Sequence, residues 1–184
     1  MDLPRPNNYF GAEALFGREA IDADDDDPSL NGLDMVRTVP HDELDGLRPK
    51  SAATRHEFTP YITPSLRDAL NYFWLATAAR RSRGDTDGHS GMLVHTTLYV
   101  DAHLKIKSMI EVFRQSRIAL LREEDPVFLE DLKLQWDAEG ETVDLPVDDP
   151  RWTSFEELKP FLESILDETV IPVENNQSAA RLSY

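Results

Sequence analysis

Apolar residues recur at helical spacing in four stretches of the chain after residue 60, and three of these stretches begin with a capping signal. The first opens at Thr63 and Pro64. A threonine hydroxyl can accept a hydrogen bond from a free backbone amide, and proline suits the first helical position. The stretch closes before Gly84, after a run of arginines. Its middle, residues 69–79, is apolar almost all round, which predicts burial on more than one face.

Two further helices are predicted on the same grounds. One runs from Asp101 to about Arg122, with apolar side chains along one side. The next opens at Asp125, directly before Pro126, and ends at Gly140. The cations of the longer helix are interpreted as its solvated side: Lys105, Lys107, Arg114 and Arg117.

A fourth helix begins after an acidic loop, at a capping box with two available registers. The side chain of Thr153 can pair with Glu156, or that of Ser154 can pair with Glu157. Pro160 lies a few residues further on. Because proline cannot donate a backbone hydrogen bond, the sequence predicts either a kink or two short helices here.

Two short stretches predict β-strands. Residues Gly91 to Leu98 begin with an unbroken apolar run, which favours a buried strand. Residues Val170 to Val173 favour an edge strand, because Pro172 lacks the N–H that a central strand needs. The whole pattern predicts an α/β fold that is helix-rich, with about four helices and a few short strands.

The chain divides by composition into two parts. Residues 1–60 carry six prolines among scattered polar residues, and we expect an irregular, partly loose N-terminal segment. Residues 61–184 carry the periodic stretches, and we expect a helix-rich α/β domain there. The last residues, AARLSY, resemble the start of another strand, so the chain is interpreted as an internal fragment of a larger protein.

Charge and cysteine content limit the environment and the partners. The chain has a formal net charge of −16 and no cysteine, which excludes a disulfide framework and thiolate chemistry. Residues 79–122 carry a charge of +4, which leaves −20 for the remainder. No apolar run is long enough to cross a bilayer, and the first residues do not form a signal peptide. We therefore expect a reducing, cytoplasmic location without membrane contact.

Sequence motifs for chemistry are missing from the chain. It contains no glycine-rich phosphate loop, no dinucleotide-binding turn and no serine nucleophile elbow. None of the five histidines has the spacing of a zinc pair. Glu157 and Lys159 match the E-x-K motif of a nuclease, but they lie inside a predicted helix. No catalytic residue, metal site or cofactor is therefore assigned to this chain, and whether it belongs to an enzyme stays open.

Residues 65–110 carry a more specific signal. They contain an apolar helix that ends in A-A-R-R-x-R-G, a short turn with His89 and the strand-like sequence M-L-V-H. These features resemble the Z-one domain family, to which an endonuclease role is ascribed in bacterial restriction and phage-defence loci. Tyr9-Phe10-Gly11 and the C-terminal V-E-N-N and R-L-S-Y are also similar to that family.

The resemblance implies a place in a helicase-like motor. Gly91–Leu98 would be the first strand of a RecA-like helicase lobe, and residues 101–122 the helix behind it, next to a helical coupling segment. The loop after this strand would contact the DNA backbone through His95, Thr96 and Thr97. Three arginines before the strand would add phosphate contacts: Arg80, Arg81 and Arg83. The simpler interpretation is that these arginines only cap the C-terminal end of the first helix.

The first functional interpretation is the internal coupling portion of an ATP-dependent DNA motor from a restriction or anti-phage system, without catalysis of its own. ATP and Mg²⁺ are expected only in the parent protein. The expected partners are its remaining lobes, the DNA backbone and subunits of a restriction system. The alternative is a free-standing acidic interaction module or DNA mimic, favoured by the net charge and by the acidic run Asp24–Asp27.

Overall fold

The computed structural model describes residues 36–86, 88–143, 149 and 152–173. The chain forms two compact units, Met1–Val39 and Pro40–Tyr184, and only residues 36–39 of the first unit are described. The fold below is that of the second unit. Three features named above lie outside the described residues: Tyr9-Phe10-Gly11, the acidic run Asp24–Asp27 and the C-terminal residues 174–184.

The second unit is built from helices. A 3₁₀ turn at His41–Glu43 leads into a one-turn helix, α1 (Leu44–Leu47), and four longer helices follow. These are α2 (Pro64–Ser82), α3 (Val100–Arg122), α4 (Pro126–Glu141) and α5 (Phe155–Glu168). The four helices that the apolar spacing predicts are confirmed. Across the described ranges, no residue lies in a β-strand.

The strand content of the predicted α/β fold is wrong. Gly91–Leu98 and Val170–Val173 have no regular structure, so the described part of the chain holds no RecA-like sheet. A strand needs a neighbouring strand to satisfy its backbone N–H and C=O groups, and no described segment provides one. The expected burial also fails, because Leu93 and Leu98 are 86% and 85% exposed. The described fold is helical.

Local capping begins α2 and α4 where the sequence predicts. The hydroxyl of Thr63 accepts a hydrogen bond from the backbone N–H of Leu66 at 3.2 Å. The carboxylate of Asp125 accepts from the backbone N–H of Phe128 at 2.8 Å. Each cap satisfies an amide that has no partner within its helix, so the helix begins at a fixed residue.

α5 begins in the second of its two available registers. Oε2 of Glu157 accepts from the backbone N–H and from the hydroxyl of Ser154, each at 2.8 Å. Thr153 is buried instead, so the first register is wrong. Pro160 does not divide the stretch, because α5 is one helix. The proline frees a single carbonyl, four residues earlier at an exposed position, where water can bind it.

α5 lies at the centre of the helical packing. It contacts α2, α3 and α4, and its contact with α2 is the most extensive in the unit. Leu158 and Leu162 of α5 and Leu75 of α2 are at most 1% exposed. A stacked pair, Trp74 and Phe113, adds α3 to this core, with ring centroids 6.1 Å apart. α2 packs against both α5 and α4, which confirms the burial that its apolar circumference predicts.

Residues 40–63 contribute to the same core, although they precede the long helices. Leu47 and Phe58 are each 7% exposed. Oε2 of Glu43 accepts from the backbone N–H of Ser65 at 2.9 Å, which adds a second acceptor at the start of α2. This segment therefore covers apolar surface and fixes the first turn of α2.

The C-terminal end of α5 is held by a side chain from α3. Nη1 of Arg114 donates to the carbonyl oxygens of Leu166 at 2.9 Å and Thr169 at 2.6 Å, and lies 3.4 Å from that of Asp167. Carbonyls at a helix end lack partners within the helix, and a cation is favourable at this end of the helix dipole. The contact ties α3 to α5.

We expect Arg114→Met to lower the free energy of unfolding by about 2 kcal/mol, because the carbonyls at the end of α5 lose a charged donor while most of the apolar stem remains. Urea unfolding followed by circular dichroism measures the change. Arg122→Met is the matched control, since Arg122 reaches α5 through exposed ion pairs with Glu163 and Asp167. Exposed pairs contribute little. Equal losses for the two variants would contradict the special role of Arg114.

The capping box of α5 should make part of the stability depend on pH. Hydrogen bonds from the backbone N–H of Ser154, and then from its hydroxyl, hold the pKa of Glu157 below its ordinary value of 4.5. A carboxylate with a lowered pKa stabilises the folded state above the unfolded pKa, and this contribution is lost as the pH falls through the folded pKa.

Glu157→Gln should therefore lower the melting temperature at neutral pH, and the difference from the unchanged protein should disappear in acid, as the pH falls below 4.5 and through the lowered pKa of the folded state. Thermal unfolding at several pH values measures this difference. Glu156→Gln removes the same charge from the same turn and is the control. A deficit of Glu157→Gln that persists in acid would show that the charge of the carboxylate is not its cause.

Candidate functional site

Arg80, at the C-terminal end of α2, is turned back onto the chain. Its Nη1 donates to the carbonyl oxygen of His89 at 2.7 Å, and its Nη2 donates to that of Gly88. Its Nε lies 3.5 Å from Oδ2 of Asp85, and the Asp85 carboxylate accepts from the backbone N–H of Gly88 at 3.1 Å. Arg80 therefore holds the turn that follows α2.

Arg81 and Arg83 also have partners within the chain. Nη2 of Arg81 lies 3.1 Å from Oε2 of Glu168, the last residue of α5. Nη1 of Arg83 donates to the hydroxyl of Thr153, just before α5, at 3.3 Å. Both contacts connect the end of α2 to the ends of α5. Phosphate binding by the three arginines stays a prediction, and it would require these contacts to open.

His95, Thr96 and Thr97 lie in the irregular segment directly before α3. The hydroxyl of Thr97 accepts from the backbone N–H of Tyr99 at 3.3 Å, and its carbonyl oxygen accepts from Nε2 of His103 at 2.7 Å. His95 is exposed, with its ring centroid 6.4 Å from that of His103. The buried hydroxyl of Thr96 has no hydrogen-bond partner among the described residues. Thr97 is thus used to begin α3.

The cations of α3 do not form the solvated side that the sequence predicts. Nζ of Lys105 donates to the carbonyl oxygens of His56 at 2.8 Å and Phe58 at 2.7 Å. Arg114 binds the end of α5, as described above. These partners are distant in sequence, and the apolar stems of both cations allow them to lie against the core. The interpretation of these two side chains as simply solvated is wrong.

Arg117 lies against aromatic rings of α3 and α4. Its guanidinium carbon is 4.4 Å from the ring centroid of Phe113 and 5.0 Å from that of Phe128. Burial, and then the charge of Arg67, lower the pKa of Arg117. Arg117 and Asn71 line a small cavity between α2, α3, α4 and α5. Nε of Arg117 and Oδ1 of Asn71 are buried there with no hydrogen bond to a described residue.

Within the described ranges, no three histidine or carboxylate side chains lie close enough together to hold a metal ion. The two residues that match the E-x-K motif of a nuclease lie on α5: Glu157 caps the helix, and Lys159 follows two residues later. None of the helices that the structure describes is long and apolar enough to cross a membrane.

Lys107 and Glu111, which are half-buried, form an ion pair along the outer side of α3. The exposed residues between the two ends of α3, Asp101 and Arg122, carry no charge. We name these exposed residues the uncharged face of α3: Leu104, Ser108, Val112, Gln115, Ser116 and Ala119. Leu104 is 55% exposed and Val112 is 71% exposed. Leu104 and Ser108 also line an open cleft against residues 58–60. Exposed apolar side chains without charge favour contact with another protein surface. This face was missed from the sequence.

The family match covers the helical unit just described. Residues 65–184 match the Z1 domain family, from the first turn of α2 through α5 and beyond. No curated protein and no solved structure matches the chain. The matched region that the structure describes is helical. The chain belongs to the Z1 domain family, which confirms the family that the sequence of residues 65–110 resembles.

We expect Arg80→Gln to loosen the segment that follows α2, because the carbonyls of Gly88 and His89 lose their charged donor. Hydrogen–deuterium exchange should become faster in residues 88–98 and stay unchanged in α5. Arg81→Gln, which removes one ion pair with Glu168, is the matched control and should leave residues 88–98 unchanged. Unchanged exchange in the Arg80 variant would show that Arg80 does not hold this turn.

Proposed function

We propose that this chain is the internal coupling portion of a helicase-like, ATP-dependent DNA motor from a restriction or anti-phage system, and that it acts through protein contacts. Membership of the Z1 domain family supports the motor context through the resemblance described above. ATP and Mg²⁺ then belong to the rest of the parent protein. Its remaining lobes and subunits of a restriction system are the partners.

The uncharged face of α3 is the observation that carries the coupling role. In a chain in which 29% of residues are charged, the six exposed positions of this face carry no charge, and two of them, Leu104 and Val112, present apolar surface that favours packing. Burying Leu104 and Val112 needs no desolvation of an ion. A phosphate contact needs free cations, and the cations of α3 bind within the unit.

DNA contact is a smaller part of the proposal. His95 is exposed, so its ring could bind a backbone oxygen. The hydroxyl of Thr96 is buried and would have to become accessible before it could do so. Arg80, Arg81 and Arg83 serve mainly to hold the end of α2. Their replacement should then affect stability more than the salt dependence of DNA binding.

The first test is to sequence the open reading frame on both sides of this segment in its source genome. A phosphate-binding loop encoded upstream in the same frame supports the motor context. Leu104→Glu combined with Val112→Glu in that complete protein should then lower DNA-driven translocation about tenfold and spare the DNA-independent hydrolysis of ATP. The loss follows from placing two charges in a packed interface.

Val143→Glu combined with Val170→Glu is the matched control, since both side chains are exposed elsewhere in the unit, at 48% and 81%. Normal translocation by the α3 variant, or equal losses for the two variants, would refute the coupling role of this face. A frame that encodes no phosphate-binding loop would refute the motor context.

A second candidate is a free-standing acidic interaction module that occupies a basic groove on another protein. The net charge of −16 and a set of exposed carboxylates on α4 favour it. Tight, salt-sensitive binding to a basic protein, and none to duplex DNA, is the outcome that supports this candidate.

A further inference from the structure

The outer side of α4 differs in character from that of α3. We name seven of its exposed residues the acidic face of α4: Val127, Glu130, Asp131, Leu134, Asp137, Ala138 and Glu141. They recur at intervals of three and four residues, so they lie on one side of the helix, opposite the buried Phe128 and Leu132. The face includes four carboxylates and no cation.

Two apolar side chains stand among these carboxylates. Val127 is 69% exposed and Leu134 is 58% exposed. They are separated by two helical turns, which places them on the same side of α4 and about 10 Å apart along its axis. This is the spacing at which a partner helix presents successive apolar side chains.

The carboxylates of this face have no cationic partner within 4 Å among the described residues, whereas about half of the other exposed acids of the unit have one. The paired acids are Asp45, Asp68, Asp85, Asp101, Glu111, Glu163, Asp167 and Glu168. The charge of the acidic face of α4 is therefore available for a partner. Asp131 also attracts the guanidinium of Arg117.

We propose that the acidic face of α4 is a docking surface for a basic amphipathic helix of another protein. Leucine-like side chains of that helix would contact Val127 and Leu134. Lysines or arginines on either side would pair with Glu130, Asp137 and Glu141. The proposal names the surface and partner for the second candidate function, and it does not depend on the motor context.

The negative charge of the acidic face of α4 disfavours the other partners that could bind there. Duplex DNA and anionic lipid surfaces carry the same sign as this face and are repelled by it. A second copy of the chain that docked through the same face would place like charges against each other. The carboxylates extend along the helix instead of converging, and they form no group of metal ligands within the described residues. A basic protein segment satisfies both the charge and the apolar side chains.

The test uses the full chain and a helical peptide of leucine and lysine about four turns long, with leucines every third or fourth residue. A leucine–glutamate peptide of the same pattern is the negative probe. Stopped-flow fluorescence gives the association and dissociation rates at low and high salt. We expect saturable binding of the lysine peptide that weakens with salt, and no binding of the glutamate peptide.

Two pairs of substitutions separate charge from apolar contact. Glu130→Lys with Asp137→Lys should slow association about tenfold, because charge steers the encounter. Val127→Ser with Leu134→Ser keeps every charge and should speed dissociation about tenfold, because apolar anchors hold the complex. Circular dichroism verifies that both variants fold.

Matched controls lie on other surfaces of the unit. Asp42→Lys with Glu57→Lys makes the same change in net charge at exposed acids away from α4, and Leu104→Ser with Val112→Ser changes the uncharged face of α3. Neither pair should change a rate more than about twofold. Equal effects of the two charge reversals would show diffuse attraction only. Unchanged dissociation after the α4 serine substitutions would also overturn the proposal, and neither outcome bears on the role of α3.

Discussion

Burial of the apolar side of α5 is the interaction on which the rest of the described unit depends. α5 contacts α2, α3 and α4, its contact with α2 is the most extensive in the unit, and its Leu158 and Leu162 are at most 1% exposed. Its first turn is closed by Glu157 and its last carbonyls by Arg114. The hydrophobic effect draws the helices together without direction, while these end contacts fix where α5 lies against its neighbours.

The same arrangement explains why the surface is divided by charge. The basic residues of α2 and α3 are used for contacts inside the unit, with Arg80 on a turn, Lys105 on residues 56–58 and Arg117 against aromatic rings. With these cations engaged, α3 presents an uncharged side and α4 an acidic one. The local excess of positive charge in the sequence thus becomes internal support instead of a basic surface.

The helices could be predicted because their signals are local. Thr63 and Asp125 each cap an amide three residues later, so the start of each helix depends on only a few neighbours. Whether Gly91–Leu98 forms a strand could not be predicted from local signals, since a strand forms only if another segment pairs with it. An apolar run without such a partner stays irregular.

The candidate site was less predictable for the same physical reason. The residue types at positions 80–83 and 95–97 permit phosphate contact, but what they bind depends on segments far away in sequence, such as the end of α5. The uncharged face of α3 was also missed. This face is exposed because the other helices pack on the opposite side of α3. Helical spacing in the sequence does not show which side of a helix its neighbours will cover.

The contribution of residues 40–63 to the core bears on where the domain begins. The family match starts at Ser65, inside the first turn of α2, whereas both acceptors at that turn, Thr63 and Glu43, lie before it. Leu47 and Phe58 also cover apolar surface from this side. A fragment excised at the family boundary would expose that surface and begin with a frayed helix. The compact unit of this chain therefore begins about one segment before the region that matches the family.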